Sequence, residues 1–260
     1  GYRRGGTNAA PVRPDESFPN DPEWSSFGSD TVMNYEVGIK SQQDRYNYTI
    51  SAFYVDWSDP QVNVATPSGA YYAVANGNSA SSKGIETEFN WAVSDTVTMF
   101  GGYTYIDASL SNDLYLHDAS DLTSGKSELR ATNGAQLPGT PKNTINIGAK
   151  HEQILDSGLL LITRVDGYYQ SEVENSILNI DPDWATTLDG FDLWFMSTTL
   201  VAKHWTASLV AKNLFNERGT VATYKEEYMT SDVTNGFYGT GQKDFITAPR
   251  TITLKASYRF

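Results

Sequence analysis

The 260-residue sequence predicts an all-β fold, an antiparallel transmembrane β-barrel wall, and three observations carry the prediction. Side chains alternate apolar and polar through nine segments, helical periodicity is nowhere sustained, and the connections between segments are alternately short and long. A period of two sorts residues onto opposite faces only in an extended chain. An apolar face backed by a charged one suits a wall between hydrocarbon and a watery lumen.

The segments are expected at 30–41, 44–57, 80–92, 95–108, 142–154, 157–171, 190–202, 204–217 and 248–260. In the first, Met33, Tyr35, Val37 and Ile39 oppose Asn34, Glu36, Gly38 and Lys40; in the second, Tyr46, Tyr48, Ile50, Ala52 and Tyr54 oppose Arg45, Asn47, Thr49 and Ser51. The third sets Ile85, Phe89 and Trp91 against Glu86, Glu88 and Asn90. The fourth aligns Val97, Met99, Tyr103 and Tyr105, and the fifth sets Ile145, Ile147 and Ala149 against Asn146 and Lys150. The segment 190–202 has two competing apolar faces, Trp194, Met196 and Leu200 against Leu193, Phe195 and Val201, and its register stays open. The last places Ile252, Leu254, Ala256, Tyr258 and Phe260 on one face and Thr251, Thr253, Lys255, Ser257 and Arg259 on the other.

Connections near 42–43, 93–94, 155–156 and at 203 are tight, and those at 58–79, 109–141, 172–189 and 218–247 are long. In a meander successive connections lie at opposite ends, so strict alternation gives one trimmed end and one elaborated end, as in outer-membrane barrels. The acidic excess sits in the long connections, in residues such as Asp113, Asp118, Asp121, Glu172, Glu174, Asp181 and Asp183.

The net charge of −12 argues against a nucleic-acid partner, because binding a polyanion requires a basic patch that releases counterions. The absence of cysteine excludes disulfides and thiolate metal sites. No apolar run approaches the length of a membrane helix, a test that a barrel escapes, so the mean hydropathy of −0.43 does not count against a membrane protein. Nine strands are an odd number for closing an antiparallel barrel. A strand remnant is therefore expected at Tyr2 to Gly6, with further wall before it, making 1–260 one part of a larger barrel domain.

Several stretches resemble the C-terminal half of the barrel of TonB-dependent outer-membrane receptors: GYRRGGTN from Gly1, NYEVGIKS from Asn34, AFYVDWSDPQ from Ala52 and NSASSKGIETEF from Asn78. LPGTP from Leu137, KNLFNE from Lys212 and the closing SYRF from Ser257 complete the set, all in the family's order. The resemblance implies a 22-stranded barrel in the outer membrane of a Gram-negative bacterium. An N-terminal plug and an energy-coupling box, both outside this sequence, would link it to an inner-membrane energising complex. It further implies that Tyr258 and Phe260 belong to the signal read by the barrel assembly machinery. The expected function is import of a scarce nutrient, with a ferric siderophore favoured over oligosaccharide or cobalamin.

Catalysis is not expected. His117, His151 and His204 cannot meet on this topology, and no nucleophile motif, zinc spacing or phosphate loop is present. Asp181, Asp183 and Asp189, or Asp113, Asp118 and Asp121, could offer calcium oxygens but lack the spacing of a helix-loop-helix site, so neither a metal nor a cofactor is expected. Trp24, Tyr71, Tyr72, Tyr115, Trp184, Tyr228 and Tyr238 are candidates for stacking on a small-molecule ligand or for an interfacial aromatic girdle. Glu36, Arg45, Glu86, Glu88, Lys150, Arg164 and Asp166 are expected to face the lumen. A soluble carbohydrate-binding β-sandwich is the rival reading, distinguished by a second sheet covering the tyrosine rows.

Overall fold

The computed structural model describes residues 1–8, 26–65, 72–117, 127–177, 180, 186–225 and 242–260. In chain order its strands are β1 (Tyr2–Arg3), β2 (Gly6–Thr7), β3 (Ser26–Phe27), β4 (Asp30–Gln42), β5 (Tyr46–Ser58), β6 (Gln61–Ala65) and β7 (Tyr72–Asn76). There follow β8 (Ser79–Ala92), β9 (Val97–Leu110), β10 (Leu114–His117), β11 (Ser127–Ala131), β12 (Asn143–Ile154) and β13 (Leu160–Gln170). The remainder holds β14 (Val173–Glu174), β15 (Thr187–Leu188), β16 (Phe191–Val201), β17 (Trp205–Lys212), β18 (Thr220–Lys225), β19 (Gln242–Ile246) and β20 (Thr251–Tyr258).

Ten strands form one antiparallel sheet in the order β1-β4-β5-β8-β9-β12-β13-β16-β17-β20. The nine expected segments are its nine long strands, and the expected remnant is β1, with Tyr2 opposite Thr31 and Arg3 opposite Asp30. β17 ends at Lys212, short of the expected 217, because Asn213 turns the chain into the left-handed region at φ 51°. The turn between β12 and β13 is longer than expected and closes through Gly158 at φ +81°.

Register settles the faces. Tyr35 lies opposite Tyr54 and Ile39 opposite Ile50; Ala52 meets Ile85, Trp91 meets Met99 and Tyr103 meets Ile145. The row continues through Val165 opposite Met196 and Leu209 opposite Leu254. The open register of 190–202 is thereby fixed. Trp194, Met196 and Leu200 join the apolar row, and Phe195 crosses to the polar face opposite Asp166.

No second sheet covers the apolar row among the described residues. Val37 is 73% exposed and Leu254 78%, so the sandwich reading is corrected: a sandwich would bury these rows between its layers. The buried hydrophobic cluster lies at the long-connection end, where Ala80, Leu110, Leu114, Ala131 and Ala135 pack with Trp57, Leu137 and Ile177.

The long connections are more than loops. Each continues the wall as a two-stranded ribbon (β6–β7, β10–β11, β14–β15, β18–β19), and β2–β3 does the same at the start. Side-chain amides tie neighbouring ribbons together. Asn8 donates to the Val74 carbonyl at 2.9 Å and accepts its N–H at 2.8 Å, and Asn175 repeats the arrangement on Thr223 at 2.7 and 2.9 Å. An asparagine amide sets an N–H donor beside its carbonyl acceptor, so it can stand in for a strand's peptide group.

Candidate functional site: the polar face and its mouth

The polar face is assembled by cross-strand register. Six of the expected residues, Glu36, Glu86, Glu88, Lys150, Arg164 and Asp166, share the face opposite the apolar row. Arg45 does not. It lies in the tight turn before β5 and pairs with Asp95 of the next turn at 2.8 Å, because the chain is already reversing there.

On β12 and β13 the charges pair among themselves. Lys150 lies opposite Arg164, yet Lys150 Nζ turns to Glu152 at 3.1 Å and the Arg164 guanidinium forks onto Asp166. Arg164 Nε donates to both Asp166 oxygens at 2.9 and 2.8 Å, and Nη2 donates at 2.6 Å. The guanidinium also lies 4.5 Å over the Phe100 ring. That ring is flat against the wall because its cross-strand partner is Gly148: a Cβ there would stand 2.4 Å from the ring. Gly84 under Phe53 works in the same way, a Cβ meeting that ring at 2.8 Å.

On β4 and β8 the arrangement differs, for Glu36, Glu86 and Glu88 have no ion-pair partner among the described residues. Beside Glu88 a depression of about 250 Å³ is lined by Asn47, Thr49, Asn90, Phe100, Gly101 and Asn146.

At the long-connection end Asp30 is 1% exposed, the most buried charged side chain of the described residues. Its carboxylate accepts Arg3 Nε at 3.0 Å on both oxygens, Trp57 Nε1 at 2.9 Å and the Gln61 N–H at 3.3 Å. Arg3 also covers the Trp57 ring at 5.4 Å. The apolar row gives way to charge at Asp56 and at the Lys83–Asp107 pair, so Asp30 stands beyond the apolar band. There the Arg3 guanidinium first, then the Trp57 and Gln61 donors, hold its carboxyl well below the usual carboxylate range against the opposing effect of burial. Nothing in the sequence spacing marks this cluster, since its members meet only through pairing of β1, β4 and β5.

Of the aromatic candidates, Tyr115 on β10 is 51% exposed, and Tyr72 opens β7 opposite Ala65. Trp24, Tyr71, Trp184, Tyr228 and Tyr238 lie outside the described residues. Tyr258 meets Phe260 edge-on at 5.2 Å and His204 at 6.3 Å. Asp113, considered for calcium, accepts the Asn133 N–H at 2.7 Å, while Asp118, Asp121, Asp181 and Asp183 lie outside the described residues. Among the described residues no three His, Cys, Asp or Glu side chains form a metal-binding group.

The chain resembles known structures over nearly its whole length. The ferric yersiniabactin uptake receptor FyuA from Yersinia pestis is 17% identical with a TM-score of 0.70, covering 98% of this chain and 33% of its own. BauA, the ferric preacinetobactin receptor from Acinetobacter baumannii, is 19% identical at 0.64, covering 99% and 32%. The pyoverdine outer membrane receptor FpvA from Pseudomonas aeruginosa PAO1 is 16% identical at 0.60, covering 95% and 32%. The chain thus spans about a third of the length of these receptors, and at such identities the likeness establishes the fold. No curated protein matches the sequence. The family model for the TonB dependent receptor-like beta-barrel matches residues 5–214. A meandering sheet with one apolar and one polar face, carrying that match over most of its residues, belongs to the TonB-dependent receptor β-barrel family.

Proposed function

We propose that this chain is the C-terminal part of the barrel wall of an outer-membrane receptor that imports a scarce nutrient, with a ferric siderophore as the cargo. The observation that carries the reading is the sheet itself. An exposed apolar row is costly in water, whereas the same row backed by a charged face suits lipid outside and a wet bore within. Among the described residues both sheet edges are also unpaired over long stretches: β4 pairs with β1 only at Thr31 and Asp30, and β20 has a partner on one side only. Open edges do not persist in hydrocarbon, so the remaining strands of a longer parent close the barrel, 22 in all on the family pattern.

In this reading the apolar row faces outer-membrane lipid and the polar face lines the bore. The long-connection end, with its ribbons and acidic residues, faces the exterior of a Gram-negative cell. Trp24, Tyr71, Tyr72, Tyr115, Trp184, Tyr228 and Tyr238 belong to the ribbons or connections that capture the small-molecule ligand. An N-terminal plug fills the bore and rearranges when an inner-membrane energising complex engages it. Tyr258 and Phe260 serve recognition by the barrel assembly machinery. The protein acts as a transporter and performs no chemistry on its cargo. The siderophore assignment is supported by the ferric yersiniabactin, ferric preacinetobactin and pyoverdine receptors among the similar structures.

The test uses outer-membrane vesicles bearing the complete parent protein. They are expected to bind ferric siderophores tightly and to import them only with an energised partner. Energy-independent uptake overturns active import, and binding of oligosaccharide or cobalamin in place of ferric siderophores overturns the cargo assignment alone.

A further inference from the structure

The wall's outermost strand pairs at the long-connection end are Thr31 with Ser58, Ala80 with Leu110, Thr144 with Gln170 and Met196 with Ala211. Beyond each of them, neighbouring long connections stay joined. Past the first, Asn8 holds the N–H and carbonyl of Val74, and Asn76 donates to the Gly28 and Asp59 carbonyls at 3.3 and 2.8 Å. Gln61 adds bonds to the Arg4 and Gly28 carbonyls at 3.0 Å each. Past the second, Asn78 donates to the Asp113 carbonyl at 2.7 Å and Asn112 to the Ser79 hydroxyl at 2.6 Å. Past the third, the Gly139 N–H donates to the Glu174 carbonyl at 2.8 Å from a left-handed turn at φ 69°. Past the fourth, Asn175 holds the N–H and carbonyl of Thr223.

The last two junctions meet on adjacent residues. Glu174 accepts Gly139 on one flank of its ribbon, and Asn175 grips Thr223 on the other. Each side is also tied across its own ribbon: the Glu174 carboxylate accepts the Thr187 hydroxyl at 3.0 Å, and the Thr223 hydroxyl donates to Asp244 at 2.7 Å. The strands β14 and β15 are two residues long, so this ribbon draws its order from its flanks. Ile177 adds an apolar tie, packing on the cluster that holds Leu114 and Ala131 of β10–β11. Independent arms would need bonds only within each ribbon. Here donor and acceptor arrive together at a neighbour's peptide group, and a hydrogen bond fixes direction as well as distance, so paired bonds resist both sliding and splaying.

We propose that the ribbons β2–β3, β6–β7, β10–β11, β14–β15 and β18–β19 form one collar that moves as a unit, with Asn8, Asn78 and Asn175 as its positioning residues. Glu174 and Asn175 pass a displacement of the 109–141 connection on to β18–β19, because they bond opposite neighbours through one stretch of backbone. The inference rests on the reading of this end as the capturing surface. On that reading, contact at one ribbon is felt by the others, and capture is an act of the whole mouth rather than of a single arm. The bonds themselves are independent of what is captured.

The experiment measures distances between spin labels in the complete parent receptor in lipid nanodiscs by pulsed electron paramagnetic resonance. The 260 residues hold no cysteine, so labels are placed through Thr187→Cys with Val221→Cys across the fourth junction, and through Val62→Cys with Thr187→Cys across the second and third. Both distance distributions are expected to be narrow. Asn175→Ala should broaden the first. Asn78→Ala with Asn112→Ala separates the first two ribbons from the last three, so it should broaden the second distribution and leave the first narrow. Asn175→Asp should be broad at neutral pH and narrow again below about pH 4, where a neutral carboxyl regains a donor beside its acceptor, while Asn175→Ala stays broad at both. Broad distributions before any of these changes overturn the collar, as do unchanged widths in Asn175→Ala or in the Asn78 and Asn112 variant, a first pair broadened by that variant, or an Asn175→Asp that stays broad in acid. A parent that turns this end away from the cell exterior overturns the placement beneath the inference, and the label distances still decide the collar.

Discussion

The same sheet treats charge in two ways on its polar face. On β12 and β13 each cation has its anion within one strand: Lys150 with Glu152, and Arg164 with Asp166. On β4 and β8, Glu36, Glu86 and Glu88 stand without an ion pair among the described residues. One half of the polar face is thus neutralised within its strands, while the other holds three carboxylates against Lys40 alone on β4. The paired half is neutral within its own strands, and the unpaired half leaves three carboxylates free for an outside cation among the described residues. In the proposed function the plug is the candidate for that partner, and its surface facing β4 and β8 is expected to carry cations.

The largest expected effect breaks the complete half. Gly148→Leu forces a side chain into the space of the Phe100 ring, where even a Cβ would stand at 2.4 Å, and the ring cannot move without leaving Arg164. Overpacking of this kind costs about 3 kcal/mol. Urea unfolding of the complete parent in lipid bilayers measures it, and a wild-type midpoint would show that the ring has room to swing into the bore.

Next comes the mouth of the other half, where Asp30 joins β1, β4 and β5. Asp30→Asn keeps the shape but loses the charge that accepts Arg3, Trp57 and Gln61, at a cost of about 2 kcal/mol. The sign with pH follows from the depressed acidity. A carboxyl held below its ordinary value contributes stability that is complete above about pH 5 and is lost as pH falls through the ordinary carboxylate range and below. Wild type should therefore lose more stability than Asp30→Asn between about pH 5 and pH 2. Parallel pH profiles would remove Asp30 from the account.

These two sites also mark what the sequence could and could not disclose. Alternation alone gave all nine long strands and placed Glu86 and Ile85 on opposite faces, because a period of two is local information. Register is not local. Trp194 and Phe195 are equally apolar neighbours, and only the pairing of Val165 with Met196 decides between their faces. Asp30, Arg3 and Trp57 are unremarkable in sequence and meet through strand pairing. The ribbons were hidden for a different reason: they are short, and contacts such as Asn8 with Val74 and Asn175 with Thr223 join residues far apart in sequence.

A smaller effect separates the two halves by mutation. Asp166→Ala strands Arg164 beneath partial solvent exposure, 50% on the arginine side chain, and solvation there compensates much of the lost pair. About 1 kcal/mol of barrel stability is expected to go, most of it recovered in Arg164→Leu with Asp166→Leu. Measured by the same unfolding assay, a loss much beyond this would mean that Arg164 holds more than Asp166 and Phe100.

Glu86→Gln with Glu88→Gln should change barrel stability least, by under about 0.5 kcal/mol, since neither carboxylate has an ion-pair partner among the described residues. The comparison predicts that the effect appears elsewhere. In the complete parent, limited proteolysis or hydrogen exchange of the plug should show it loosened, and more so at low salt, where the two wild-type carboxylates attract a docked cation most strongly. The matching pair on the complete half, Lys150→Gln with Glu152→Gln, should leave plug exchange unchanged. If both pairs of substitutions loosen the plug alike, the wall makes no distinction between its halves, and the free glutamates are ordinary wetted residues. If only the first pair does, the asymmetry of charge across one continuous sheet is the imprint of a missing partner, readable from the wall alone.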